Sequence, residues 1–176
     1  MTLIEFANLK LAVLTVIAQV FLLLSVAYFL FFQKDYPAIK KFFSKYGLTL
    51  SLIVALSATA GSLFYSEVAG YAPCTLCWYQ RIFMYPQVFL LGLAMIKKDR
   101  GIIQYSLLLS VAGWLLAAYH YLMQIGFING SCAVVGYSAS CTKLFVMQFG
   151  YITIPLMSLT AFSAIIVLLV FSKKNQ

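Results

Sequence analysis

The sequence carries little charge: 9% of its 176 residues are charged, against 64% that are hydrophobic. A soluble core of this size cannot hide so much apolar surface, and with a mean hydropathy of +0.97 the chain belongs in lipid. Strict apolar–polar alternation is missing, which removes a sheet architecture. Internal repeats, low-complexity runs and a glycine-rich phosphate loop are missing too, which removes repeat folds and nucleotide binding of that kind. No small-residue cleavage site closes the first apolar run, where Phe29-Leu30-Phe31-Phe32-Gln33-Lys34 stands instead. That run therefore reads as a true span and not as a secretory signal.

Five stretches are long enough to cross a bilayer, each needing roughly 20 apolar residues for about 30 Å of hydrocarbon. They run from Leu11 to Phe32, Leu48 to Val68, Trp78 to Ile96, Ile102 to Met123 and Tyr151 to Phe171. Lipid offers backbone N–H and C=O groups no partner, so each stretch is expected to be helical and the fold to be an all-α membrane protein. The connections, 33–47, 69–77, 97–101 and 124–150, hold most of the charge and the turn formers.

The net charge of +8 could suggest a nucleic-acid partner, but its distribution describes topology instead. Lys34, Lys40, Lys41 and Lys45 fall in the first connection, Lys97, Lys98 and Arg100 in the third, and Lys173 and Lys174 at the end. The opposite side holds Lys10, Arg81 and Lys143. The excess of positive charge on cytoplasmic loops then places the N-terminus and the second and fourth connections outside, and all four cysteines with them.

Cys74 and Cys77 end a short outer loop and lead straight into the third span. Two intervening residues let a loop and first helical turn bring both sulfurs into bonding range, and the unsatisfied N–H groups of a helix start favour a thiolate. Arg81, four residues beyond Cys77, adds a positive charge on the same helical face. A zinc site or an inert brace would use the same spacing. Zinc, however, usually takes four ligands in paired close motifs, and Cys132 and Cys141 bracket eight residues, so no metal is expected. That second pair, in a loop of small residues, reads alone as a staple. Two pairs on the oxidising face make a thiol–disulfide relay possible.

Pro73-Cys74-Thr75-Leu76-Cys77-Trp78-Tyr79-Gln80-Arg81 resembles the signature of the DsbB and BdbC disulfide oxidoreductases. The likeness extends to Tyr119-His120-Tyr121, to the Cys132 and Cys141 loop, and to Phe149-Gly150-Tyr151-Ile152-Thr153-Ile154-Pro155, covering roughly residues 48–171. It implies a four-helix transmembrane bundle over 48–176; residues 1–47, an additional N-terminal transmembrane helix and a basic cytoplasmic loop, lie outside the resemblance. The best-known members lack that first span, and many carry a longer loop between the second-pair cysteines.

The resemblance further implies an enzyme of the bacterial cytoplasmic membrane that reoxidises an extracytoplasmic thioredoxin-fold thiol oxidase, similar to DsbA or BdbD. Its electrons go to membrane quinone, ubiquinone or menaquinone. In this chain Cys132 and Cys141 match the pair that meets the partner, Cys74 the thiol that exchanges with them, and Cys77 the thiol facing quinone. Arg81 matches an arginine that supports quinone binding, and His120 is the looser match for a quinone contact or proton carrier. A cation suits the anionic character that a quinone acquires as it accepts electrons, and Arg81 is the sole arginine on the outer side.

Two rivals remain at this point. A quinone reductase similar to vitamin K epoxide reductase would place its paired cysteines at a later helix, with the order of pairs reversed. A non-enzymatic scaffold would use both pairs as inert staples. Trp78, Tyr79, Tyr119 and Tyr121 are read as membrane-interface aromatics. Ser57, Ala58 and Gly61 are read as small faces for helix packing, and Pro86 and Pro155 as kinks within spans.

Overall fold

The computed structural model describes residues 2–31, 37–129, 132 and 139–174. Five α-helices account for most of them: α1 (Leu3–Phe31), α2 (Pro37–Leu63), α3 (Thr75–Lys97), α4 (Ile102–Gln124) and α5 (Ile154–Lys174), with α2 prolonged by a π-helical turn at Phe64–Val68. The chain is a helical membrane protein. Among the described residues four helical stretches, Leu3–Tyr28, Lys41–Val68, Ile102–Gln124 and Ile154–Ser172, are long and apolar enough to cross a bilayer. The expected third span is a helix of 23 residues, α3, but falls outside that set. It is diluted by Gln80, Arg81 and Gln87, of which the two glutamines are buried.

Helix starts depart from expectation where charge meets lipid. α1 begins at Leu3 and not Leu11, and α2 begins at Pro37, well before Leu48. Proline suits the first helical position, since its missing N–H would have had no partner there. Lys40, Lys41 and Lys45 therefore sit on the first turns of α2 and not in a loop. Lys34 lies outside the described residues, as do 133–138 of the small-residue loop. Pro155 occupies the second position of α5, so it opens that helix and makes no kink; Pro86 does lie inside α3.

α5 is the hub, packed on α1, α2 and α4, while α3 closes the bundle between α2 and α4. The core joins Ala55, Met84, Leu91, Ile103, Ala117, Phe162, Ile165 and Leu169. Without a hydrophobic force between helices in lipid, close packing decides association, and small residues permit it. Gly113 of α4 shows this: a Cβ there would collide with the Phe162 ring, which lies directly over the glycine backbone. Gly47 does the same for α2 and α5, with its missing Cβ 2.9 Å from the Leu168 carbonyl oxygen. Gly61 faces Leu11 of α1, and Ala58 packs on the core, as their size suggests, but Ser57 is exposed.

Buried polarity is paired across α3 and α4. Gln87 Nε2 donates to the Ser106 carbonyl and the Ser110 hydroxyl, at 3.0 and 2.9 Å, and the Ser106 hydroxyl donates back to Gln87 Oε1. Such satisfaction is what lets a glutamine stay inside a membrane bundle.

Candidate functional site

Cys74 caps α3. Its backbone is extended, and its sulfur accepts the N–H of Cys77 at 3.2 Å, doing with sulfur what a serine or aspartate oxygen does at other helix starts. Cys77 follows in the first turn, and the two free thiols stand 2.7 Å apart, within reach of bonding. Cys132 and Cys141 form a disulfide. Cys74, Met123 and Cys141 make one buried cluster, with Leu76, Cys77 and Cys132 against it. Sequence separation thus hides spatial contact: the α4–α5 loop folds back to lay the second pair on the first.

His120, near the end of α4, stands between them and is 2% exposed. Its Nε2 lies 3.7 Å from Cys74 Sγ and 3.1 Å from the Cys141 carbonyl oxygen, and its Nδ1 lies 2.9 Å from Gln80 Nε2. An amide N–H donated by Gln80 to Nδ1 leaves the ring proton of a neutral imidazole on Nε2. That proton then faces both the Cys141 carbonyl and the Cys74 sulfur. Cys74 is drawn down to about 5, by the Cys77 hydrogen bond first and by His120 second, with burial working the other way. A thiolate is the nucleophile in disulfide exchange and also the better leaving group, so Cys74 is suited to both.

Arg81 is held and not loose at the surface. Its Nε donates to the Ser62 hydroxyl and a terminal nitrogen to the Ser62 carbonyl, each at 3.0 Å, while its guanidinium lies 5.1 Å from the Trp78 ring centroid. The Tyr85 hydroxyl reaches the same Ser62 at 3.2 Å. These contacts fix the cation one turn below Cys77.

Arg81, Cys77, Gln80 and His120 line one end of a cavity of about 530 Å³ between α1, α2, α3 and α5. Cys74 does not line it. A second, small cavity of about 20 Å³, enough for one water, touches Cys74, Cys77, His120, Cys141 and Gln124. The dithiol thus sits between two spaces: a large apolar one on the Cys77 side and a small one toward the second pair.

All six residues singled out from the sequence converge on this end of the bundle: the four cysteines and His120 in contact, Arg81 beside them. Gln80 has no role assigned from the sequence, since a glutamine within a span gains meaning only from its partner, and His120 lies 40 positions away. The interface aromatics Trp78, Tyr79, Tyr119 and Tyr121 do not line the large cavity. Tyr65, Tyr71, Tyr85 and Phe145 do, and the π-helical turn aims Tyr65 inward to stack on Tyr71 at 5.8 Å, which stacks on Phe145 at 4.9 Å. Cys74, Cys77 and His120 also bring three soft-metal donor atoms within 4.8 Å of one another.

A dithiol and a disulfide in one buried cluster, at one end of a membrane bundle, define a membrane protein of thiol–disulfide chemistry. Comparison with known proteins agrees. The chain belongs to the disulfide bond formation protein DsbB family, whose model matches residues 44–172. It is 44% identical over 133 residues to a probable disulfide formation protein of Oceanobacillus iheyensis, covering 73% of this chain and 90% of that one. It is 41% identical over 131 residues to disulfide bond formation protein C of Bacillus subtilis, covering 73% and 94%. A probable disulfide formation protein C 1 of Bacillus anthracis matches at 40% over 133 residues, covering 75% and 95%. No solved structure matches the chain. The family makes the protein a membrane disulfide oxidoreductase that serves disulfide bond formation, which sets aside the inert scaffold.

Proposed function

We propose that the protein reoxidises a thioredoxin-fold thiol oxidase outside the cytoplasm and passes the two electrons to membrane quinone. One observation carries this reading: Cys77 lines the large cavity beside Arg81, whereas Cys74 faces the Cys132–Cys141 disulfide. The dithiol therefore has one sulfur for each side of a relay.

A partner dithiol attacks the Cys132–Cys141 disulfide, with the half-buried Cys132 as the accessible sulfur and Cys141, 1% exposed, as the leaving thiol. The partner leaves as a disulfide and the second pair as a dithiol. That dithiol then attacks an oxidised Cys74–Cys77 bond. The attack falls on Cys74 and frees Cys77; the second pair then recloses and releases Cys74 as a thiolate, aided by the Nε2–H of His120. Two electrons and two protons now reside on Cys74 and Cys77.

A cavity with sulfur, imidazole and guanidinium at one end and mostly apolar side chains along the rest fits a quinone head and its hydrocarbon tail. Quinone supplies the two-electron acceptor and, as quinol, carries the protons away. Arg81, pinned by Ser62, offers a fixed positive charge where the head gains negative character. Tyr85, on the same serine, helps keep that guanidinium aimed. The basic residues at the opposite ends of the helices support an extracytoplasmic location for the cysteines.

The test is quinone reduction by lipid-reconstituted protein given a reduced thioredoxin-fold donor. Turnover by the wild type and none by Cys77→Ser supports the reading; equal turnover by both overturns it.

A further inference from the structure

The cavity beside Cys77 does not end at the redox site. It continues along α2 from Ser62 to Leu50, about 18 Å at the ~1.5 Å rise of a helix. α5 contributes Ala161, Ala164 and Leu168 to its deeper part. The remaining wall is α1. Leu11, Leu14, Thr15, Ala18 and Phe21, on one helical face, line it from the level of Arg81 inward. At the far end Phe21 meets Phe43 at 6.2 Å, and Phe43 stacks on Phe171 at 5.2 Å.

α1 is fixed there by specific contacts. Gln19 donates to the Thr160 hydroxyl at 3.3 Å and accepts the Tyr151 hydroxyl at 3.0 Å, tying α1 to both ends of the segment that opens α5. Leu11 lies against Gly61, where an added Cβ would sit 3.5 Å from it. On the opposite face of α1, Leu23 is 70% exposed. The helix therefore has one face committed to the cavity. It also lies outside the family match, which begins at residue 44. The three relatives described above align over 90–95% of their own length and retain too little unmatched chain for a span of ~20 residues.

We propose that α1 is a quinone-tail wall: with α2 and α5 it encloses a channel that holds the first isoprene units of a quinone whose head rests against Cys77 and Arg81. This rests on the quinone reading above. The occupant follows from continuity, since the channel opens on Arg81 and Cys77 at one end and, among the described residues, offers no other charged side chain along its length. A long, apolar, flexible chain attached to a redox head satisfies both ends at once. A membrane acyl chain would satisfy only the channel.

Two measurements on the full chain in lipid nanodiscs test this. A photoreactive quinone with a polyisoprenoid tail should label α1 peptides of the wild type, and excess unlabelled long-tailed quinone should displace it. Ala18→Trp, which fills the channel, should raise the KM for a long-tailed quinone at least tenfold and leave a tail-less quinone unchanged. Leu23→Trp, on the lipid face, should change neither. Labelling confined to α2–α5, or a label on α1 that an acyl-chain lipid displaces and quinone does not, overturns the proposal. Equal KM changes for both quinones overturn it as well. No quinone reduction by the wild type would instead sink the quinone reading itself, so the two failures are distinguishable.

Discussion

Gln80 on α3 and His120 on α4 meet amide nitrogen to Nδ1 at 2.9 Å, both buried, and this contact decides which face of the imidazole addresses the cysteines. A donor on Nδ1 turns Nε2–H toward Cys74 and the Cys141 carbonyl. Gln80→Leu removes the donor and leaves a buried nitrogen without a partner, a loss of about 1–3 kcal/mol. The variant is expected to melt earlier than wild type and to exchange electrons between the two cysteine pairs more slowly, read as mixed-disulfide lifetime in a rapid acid-quench assay. Unchanged exchange with lowered stability would make the contact structural only.

The thiolate of Cys74 gives a pH signature. Its folded-state pKa is depressed to about 5, below the ordinary thiol value of roughly 8.5. A depressed pKa contributes stability in full above the unfolded value and loses it as pH falls toward the folded one. The reduced protein is therefore expected to lose thermal stability steadily between about pH 8.5 and 5 relative to a Cys74→Ser variant, and no further below that. His120→Phe should raise the Cys74 pKa, seen as a shift of its thiolate absorbance to higher pH.

Arg81 donates two charged hydrogen bonds to Ser62, and its place beside Cys77 depends on them. Arg81→Met is expected to raise the quinone KM about 10–100-fold, the equivalent of about 1.4–2.8 kcal/mol, with exchange between the cysteine pairs unchanged. Ser62→Ala should show a smaller shift in the same direction. Steady-state kinetics with a fixed thiol donor separates the two.

Gly113 tests the packing on which the site stands. A methyl at that position would overlap the Phe162 ring, and overpacking of this kind typically costs about 1–3 kcal/mol. Gly113→Ala should lower the melting temperature in detergent, and adding Phe162→Leu should recover part of the loss.

Much of this was legible in residues whose chemistry is unusual for lipid. Cys74, Cys77 and Arg81 mark the start of α3 by spacing alone, and hydropathy located α4 and α5 to within a few residues of their ends. The starts of α1 and α2 were not legible, because hydropathy sees only the part of a helix immersed in lipid. Lys40, Lys41 and Lys45 extend α2 into the basic interface and read as loop. Gln80 was missed because a polar residue within a span gains meaning only from its partner, and His120 is 40 positions away. Tyr65 and Phe145 were missed for the same reason: the π-helical turn and the returning loop that bring them to the cavity leave no periodic trace.

The most direct measurement compares quinone reduction and partner oxidation in wild type, Cys77→Ser and Cys132→Ser, each reconstituted in lipid with a reduced thioredoxin-fold donor. The relay predicts that Cys77→Ser reduces no quinone. It also predicts that Cys132→Ser accepts no electrons from the donor yet still reduces quinone when a small dithiol reduces Cys74–Cys77 directly. Quinone reduction by Cys77→Ser at the wild-type rate would contradict it.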